Sequence, residues 1–421
     1  MITFALIGYG QRGKFYLDTL SKYKDVKIAA VCDVRAEKRA LAKSNYNLSD
    51  DALFETEYTF FDKGRLADVL IIASPDQCHY DQAVRALKLG YHLILEKPIA
   101  RSVEECREIA YLAREYDKQV YVCHVLRYAP LYTSIKEMID EGKLGKVISV
   151  QQTEHVGWWH QAHSFVRGNW RKGEETNPMI VAKCCHDLDL FVWLTGKNCV
   201  SVSSYGSLAY FKRENAPDGS GERCYDCKLK DECIYNCLKF YTKYPSWAFA
   251  SGQYLGDPND KEAIIKAFSS PDNPYTRCVF KCDNDVVDNQ VVNCLFEDGS
   301  TAQLNMTAFC EGGIRTIRVC GTEGMLEASM LDNIIKYWRF GIIGQQPQTY
   351  KVEVGETFGG HGGGDEKMVD DILKALRGDG RALGLTSIDK SIMSHLMGFA
   401  AERSRRCGGE LVKIDNQNTK K

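Results

Sequence analysis

Residues 3–33 run TFALIGYGQRGKFYLDTLSKYKDVKIAAVCD, and the order of residue types in that stretch decides the fold. A short apolar strand over 3–7 meets Gly8-Tyr9-Gly10-Gln11-Arg12-Gly13, and an amphipathic segment carrying Phe15, Leu17 and Leu20 follows. A second strand over 27–32 stops at Asp33, about twenty residues beyond the last glycine. Gly8 permits a tight turn and Gly10 lets the backbone approach a pyrophosphate. Gly13 lets the helix lie close on the strand, its N-terminal amides facing the phosphates. Asp33 is placed to accept hydrogen bonds from an adenosine ribose. It favours NAD by repelling a 2′-phosphate, whereas Arg35 is placed to pair with one, so NADP stays open. The bland alternative is a glycine-rich turn in another doubly wound sheet.

At 421 residues the chain exceeds one compact core, and about two domains are expected. A formal net charge of -2 gives no electrostatic case for nucleic acid or an anionic membrane, so small neutral partners are expected. The first strand begins at residue 2 or 3, which leaves no room for a signal peptide, and no run approaches the ~20 apolar residues of a spanning helix. A cytoplasmic location is the expectation. Seventeen cysteines are scattered through apparent core strands, as at Cys32, Cys123, Cys294 and Cys320, and are expected to be reduced and buried.

Further along, 68–73 is an apolar run without alternation, the mark of a strand buried on both faces in a parallel sheet. It ends in Ser74-Pro75-Asp76. A helix with Tyr80, Ala83, Val84 and Leu87 precedes the strand 92–95, at whose end stands Glu96-Lys97-Pro98. A helix over 103–116 and a strand over 119–124 complete a Rossmann domain at 1–125. Lys-Pro at this functional edge is a candidate cis bond.

From 126 onwards alternating strands predominate, at 147–155, 200–210, 287–296, 301–309, 314–320 and 350–354, with Asp298-Gly299 as a hairpin signal. The expected fold class is therefore α/β: an N-terminal Rossmann domain plus a C-terminal α/β domain, 126–421, with a largely antiparallel open sheet. Helices are expected over 131–141, 178–194 and, near the C-terminus, within 365–407. An insertion at 212–277 has little periodicity, and the polar tail from Asp415 is expected to fray.

The glycine turn, Asp33, Ser74-Pro75 with His79, Glu96-Lys97-Pro98, Arg127-Tyr128 and His186-Asp187-Leu188-Asp189 together resemble the Gfo/Idh/MocA oxidoreductases over nearly the whole chain outside the insertion. The resemblance implies NAD(P)-dependent oxidation or reduction of sugars and polyols, and homo-oligomers built through the C-terminal sheet. It also implies coenzyme contacts from Gly8, Tyr9, Gly10, Gln11, Arg12, Gly13, Asp33, Arg35, Ser74, Pro75, His79, Glu96, Lys97 and Arg127. Lys97 and His186 then flank the nicotinamide as the catalytic pair, because an alcohol loses hydride only as its proton is removed. Many members carry an acid one helical turn before this histidine. Here that position is Ala182, so Lys183 or Asp187 is expected to supply polarity, and Asp189 to orient His186.

The segment 155–170 is dense in aromatic and polar residues. Aromatic faces stack on sugar rings, so His160, His163, Arg167 and Trp170 are expected substrate contacts, with Tyr128, Lys183, Asp187 and His361. The glycine run 359–364 is expected to bring His361 into the pocket, and Asp365 to cap the next helix. Cys224, Cys227, Cys233 and Cys237 are spaced C-x2-C-x5-C-x3-C, which suits a structural zinc or an iron-sulfur cluster; four reduced thiols are the alternative. Three functions follow as expectations: net oxidoreduction at a secondary hydroxyl of a carbohydrate, redox-neutral glycoside cleavage through transient oxidation and β-elimination, or a nucleotide and sugar sensor without turnover.

Overall fold

A computed structural model of the chain describes residues 1–354, 361–379 and 386–415. The first sheet is built from β1 (Ile2–Ile7), β2 (Val26–Cys32), β3 (Leu53–Phe54), β4 (Val69–Ile72), β5 (His92–Leu95) and β6 (Val120–Val122). They lie in the order β3-β2-β1-β4-β5-β6, all parallel. Every residue of β4 is buried, because helices cover both faces of the sheet. The order reverses between β1 and β2 on one side and β4 on the other, which places the ligand crevice at the carboxyl edge of these strands. The helix Gln11–Leu20 starts there.

The second sheet contains β7 (Val147–His155), β8 (Cys199–Ser207), β9 (Asn289–Phe296), β10 (Thr301–Thr307), β11 (Ile314–Gly321), β12 (Gly324–Ser329), β13 (Ile334–Arg339), β14 (Gln348–Lys351) and β15 (Val412–Lys413). Its order is β14-β13-β12-β11-β7-β10-β9-β8-β15, antiparallel except where β7 runs beside β10. Alternating burial along β9 and β10 marks one covered face of the sheet, where the Cys185–Thr195 helix packs on β7 and β10 and the Ile388–Arg406 helix on β8. The other face is open, with a polar depression of about 680 Å³ lined by residues such as Gln303, Asn305 and Lys336. The Asp298-Gly299 turn joins β9 to β10, with Gly299 at φ +84°.

The structure departs from the sequence expectations at three places that matter for function. The helix expected over 178–194 is two pieces, Met179–Ala182 and Cys185–Thr195, broken at Lys183 and Cys184. The 155–170 segment is not an open loop, since Trp158–His160 passes into a π-helical turn over Gln161–Arg167. The insertion also has a core of its own. Helices Cys237–Lys243, Pro245–Ala250 and Lys261–Ala267 enclose Tyr241, Ala248, Ile264, Phe268 and Tyr275. Its aromatics supply by size what periodicity did not announce.

The Ile388–Arg406 helix holds the two sheets together. The Val122 amide donates to the Thr386 carbonyl, and the Ile99 amide donates to His395 Nε2 at 2.9 Å, while the same helix packs on β8.

Candidate active site

The glycine turn has the shape a dinucleotide needs. Gly8 sits at φ +95°, and a Cβ there would lie 2.5 Å from the Ala73 carbonyl oxygen. A Cβ on Gly13 would lie 2.1 Å from the Gly8 carbonyl oxygen, whereas one on Gly10 would meet nothing within 4 Å. Strand and helix are thus locked together by two glycines, and the third leaves space in front of the helix N-terminus, where no acidic side chain intrudes. Asp33 is oriented by the backbone, accepting from the Tyr9 amide at 2.8 Å and the Arg35 amide at 2.9 Å. Arg35 turns away from it, to Glu37 at 2.6 Å and to the Gly252 carbonyl of the insertion at 2.6 Å. That commitment argues against Arg35 as a clamp for a 2′-phosphate.

Other expected coenzyme contacts are engaged within the fold. Arg12 pairs with Glu96 at 2.7 Å and with Asp365 at 2.6 Å, tying the glycine turn, the end of β5 and the Gly364–Leu376 helix into one edge. Burial works against the Asp365 charge, but Arg12 and His361 overcome it and hold the carboxyl down at about 2. His79 joins two turns through its ring nitrogens, to the Pro98 carbonyl at 2.7 Å and the Ser74 carbonyl at 2.9 Å. Ser74 Oγ donates to Gln82 at 2.7 Å, beside Pro75 on the same turn. Arg127 does not face the crevice, because its guanidinium grips Asp189 in a bidentate pair of 2.6 and 2.7 Å in the interior.

Lys97 stands at the end of β5, before a cis bond to Pro98, and its Nζ donates to the Ala182 carbonyl at 2.9 Å. The helix break at 183–184 presents that carbonyl, so the backbone of Ala182 does what a side-chain acid would do there. His186 follows at the start of the next helix piece. Its ring lies 5.6 Å from that of His124 and 5.7 Å from that of His361, and its enclosed Nδ1 has no hydrogen-bond partner. Burial, then Lys97, His124 and His361, push the imidazole well below its ordinary range, so it is neutral at pH 7. Asp189 does not orient it, being committed to Arg127. Asp187 is likewise committed, to Arg315 at 2.7 Å and to Gln152.

Lys183 lines the same region, 3.5 Å from Glu154, whose other oxygen meets Arg315 at 2.5 Å. Burial raises the Glu154 carboxyl against the pull of these cations. His160 is also held neutral, by burial first and then by Lys183, His163, Lys97 and His361. His361 Nδ1 donates to the Asp365 carboxylate at 3.0 Å on the helix edge, while the preceding residues 359–360 lie outside the described residues. Lys97, His186, His361, His160 and Lys183 therefore gather around one crevice.

Several expected substrate contacts lie elsewhere. His163 bonds Tyr241 at 2.7 Å and stacks on Tyr275 inside the insertion. Arg167 is buried and donates to the carbonyls of Arg277 at 2.7 Å and Tyr235 at 2.8 Å, and to Cys224 Sγ at 3.3 Å. Tyr128 is buried, 3.3 Å from the Thr386 hydroxyl. Trp170 does stand at the crevice edge, where its Nε1 donates to Asp76 at 3.0 Å.

The four-cysteine expectation needs correction. Among the described residues no group of three or more His, Cys, Asp or Glu converges as a metal site, and all the cysteines are free thiols. The Arg167 cation takes the place beside Cys224, whose thiol is drawn below its ordinary range by a hydrogen bond from Cys237 and by that arginine. Cys227 instead accepts from the Gly221 amide at 3.2 Å.

Sequence reasoning missed His124, Asp76, Asn177 and Arg315. His124 ends the segment that closes the first sheet, and its place at the carboxyl edge was a usable signal. Asn177 donates to Asp76 at 3.2 Å, and Arg315 meets Glu154 and Asp187 across strands, pairings that no local spacing announces.

Residues 2–124 match an oxidoreductase family described by its NAD-binding Rossmann fold, and residues 136–413 match the C-terminal alpha/beta domain of the same family. Putative oxidoreductase YteT of Bacillus subtilis is 28% identical over 73% of this chain and 72% of its own length. The inositol 2-dehydrogenase/D-chiro-inositol 3-dehydrogenase of Lactiplantibacillus plantarum is 25% identical over 47% of this chain, and the 2,7-anhydro-N-acetylneuraminate hydratase of Escherichia coli is 26% identical over 49%. The match spans about half the length of each of these two, 53% in both cases. Among solved structures, the WlbA dehydrogenase of Bordetella pertussis in complex with NADH and UDP-GlcNAcA superposes with a TM-score of 0.67 at 17% identity, covering 99% of this chain and 98% of that one. No described helix is long and apolar enough to cross a membrane.

Proposed function

The chain belongs to the Gfo/Idh/MocA oxidoreductases, and from that premise we propose that it moves hydride between NAD and a carbon bearing a secondary hydroxyl in a sugar, glycoside or polyol. The observation that carries this reading is the meeting of Lys97 and neutral His186 at the carboxyl edge of the first sheet. NAD is preferred to NADP because Asp33 is fixed toward the ribose position while Arg35 is turned to Glu37 and Gly252.

When bound, the nicotinamide supplies the hydride acceptor. The residues of the chain handle the proton and the charge. His186 Nδ1 is enclosed, which leaves Nε2 to face a substrate and take the hydroxyl proton. Lys97 Nζ, positioned by the Ala182 carbonyl, stabilises the negative charge developing on that oxygen. Trp170 and His160 offer ring surface to a sugar, and Lys183 a cation to its oxygens.

Lys97→Ala and His186→Ala are each expected to slow hydride transfer by roughly a hundredfold or more while NAD still binds, because neither holds the adenine half. Single-turnover absorbance at the NADH band with the reacting sugar measures this. Wild-type turnover in both variants would move the chemistry elsewhere in the crevice.

A second reading is supported by the insertion, which touches the Rossmann domain next to Asp33 through the Arg35 and Gly252 contact. A covered coenzyme suits a cycle in which the hydride returns to the sugar after a β-leaving group departs, with His160 or His361 as the extra base. A relative named as a hydratase is consistent with it. Cleavage of glycosides without net NADH separates this reading from the first.

A further inference from the structure

The insertion meets the coenzyme crevice at two separated points. At one end, the Trp247 ring lies 5.2 Å from His160 in the catalytic region. At the other, the Gly252 carbonyl accepts from Arg35 beside the adenosine-ribose position. Between them lies a cavity of about 570 Å³, lined on the Rossmann side by Gln11 and on the insertion side by Lys243, Tyr244, Phe249 and Tyr254. Gln11 is the first residue of the helix whose open N-terminus faces the pyrophosphate position, and Gly10 before it leaves free space. No carboxylate lines this cavity, and Lys243 is its single cation among the described residues. The Lys243 Nζ lies over the Tyr244 ring at 5.2 Å and has no carboxylate partner among the described residues.

We propose that residues 243–258 of the insertion form a further wall of the coenzyme site, in which Lys243 pairs with the dinucleotide pyrophosphate from the side opposite the glycine turn. The inference rests on the coenzyme reading above and extends it to a segment that lies outside the Rossmann domain. A pyrophosphate carries two negative charges, and the helix N-terminus neutralises them only in part. An ammonium across the cavity completes the match as a charge-assisted contact at the solvent edge of the site. These two contacts and the Lys243 pairing make release depend on the insertion moving aside, so NAD leaves slowly between turnovers.

Stopped-flow NADH release, followed by energy transfer from tryptophan, tests this on the full chain. Lys243→Glu is expected to speed release and weaken NADH binding by about tenfold or more, while adenosine, which has no pyrophosphate, binds as before. Lys239→Glu, on the same helix but outside the cavity, is expected to change neither. Lys243 and Lys239 are both exposed, so neither change threatens folding. Release at the wild-type rate from Lys243→Glu overturns the proposal, as does equal weakening of NADH and adenosine. Gly10→Val separates the underlying reading: loss of NADH binding there keeps the coenzyme site, and unchanged binding removes it along with the proposal.

Discussion

His186 takes its basicity from its surroundings. Burial and the nearby Lys97 ammonium disfavour the imidazolium, so its folded pKa lies below the ordinary 6.5. The neutral form is the base, and it persists as pH falls through 6.5. The acid limb of kcat/KM is therefore expected below 6.5, and Lys97→Ala, which removes a repelling cation, should move what activity remains toward a higher-pH limb. A wild-type limb centred at or above 6.5 would contradict the placement. At this scale the sequence was informative about identity and weak about partnership. The places of Gly8, Gly13, Asp33, Lys97 and His186 at the carboxyl edge were legible because a motif fixes their neighbours, while their roles rest on the proposal above. Arg127, Arg167, Asp187 and His163 were misjudged, because each meets partners far along the chain. A buried charge is explained by its counter-charge, which sequence spacing does not reveal.

The insertion depends on Arg167. This guanidinium enters from the π-helical turn and satisfies the carbonyls of Tyr235 and Arg277 together with Cys224. Arg167→Ala leaves those buried acceptors without donors, at a cost of about 3 kcal/mol or more. The insertion is expected to become sensitive to limited proteolysis before the Rossmann sheet unfolds. Proteolysis at the wild-type rate, with cleavage sites mapped by mass spectrometry, would rule out this role. The regular elements were legible where periodicity speaks, as in the unbroken apolar β4 and the alternating β9 and β10. β12 and β13 went unseen, and the break between Ala182 and Cys185 was equally silent: no proline or glycine marks it, and tertiary contacts impose it.

Across the whole molecule, the Ile388–Arg406 helix makes the two sheets one mechanical unit. His395 Nε2 accepts the Ile99 amide just past the cis turn, in the same connection that carries Lys97. Burial and the neighbouring His124 bring the His395 pKa down to about 3, against an unfolded value near 6.5. The unfolded chain therefore binds this proton first, so the stability due to His395 is full above pH 6.5 and declines as pH falls toward 3. His395→Leu loses the acceptor for Ile99, at about 1–3 kcal/mol, and should flatten the fall of Tm between pH 6.5 and 4. Calorimetry across that range decides it, an unchanged slope being the adverse result. The two-sheet architecture was readable from the switch between unbroken and alternating apolar patterns. The clamp between the sheets was not, because a C-terminal helix carries no mark of which sheet it will cross.

The bond from Lys97 to the Ala182 carbonyl has a consequence for how this site tolerates change. A carboxylate in that role can be protonated, and a single codon change can delete it. A peptide carbonyl titrates at no accessible pH and survives every substitution of its own side chain. The lysine is therefore anchored by the course of the main chain, and position 182, buried at 2% exposure in the core, is held to a small side chain by packing and not by the anchor itself. A loss of activity on enlarging Ala182 therefore reports on packing, while the chemical identity of the anchor stays the same in every variant.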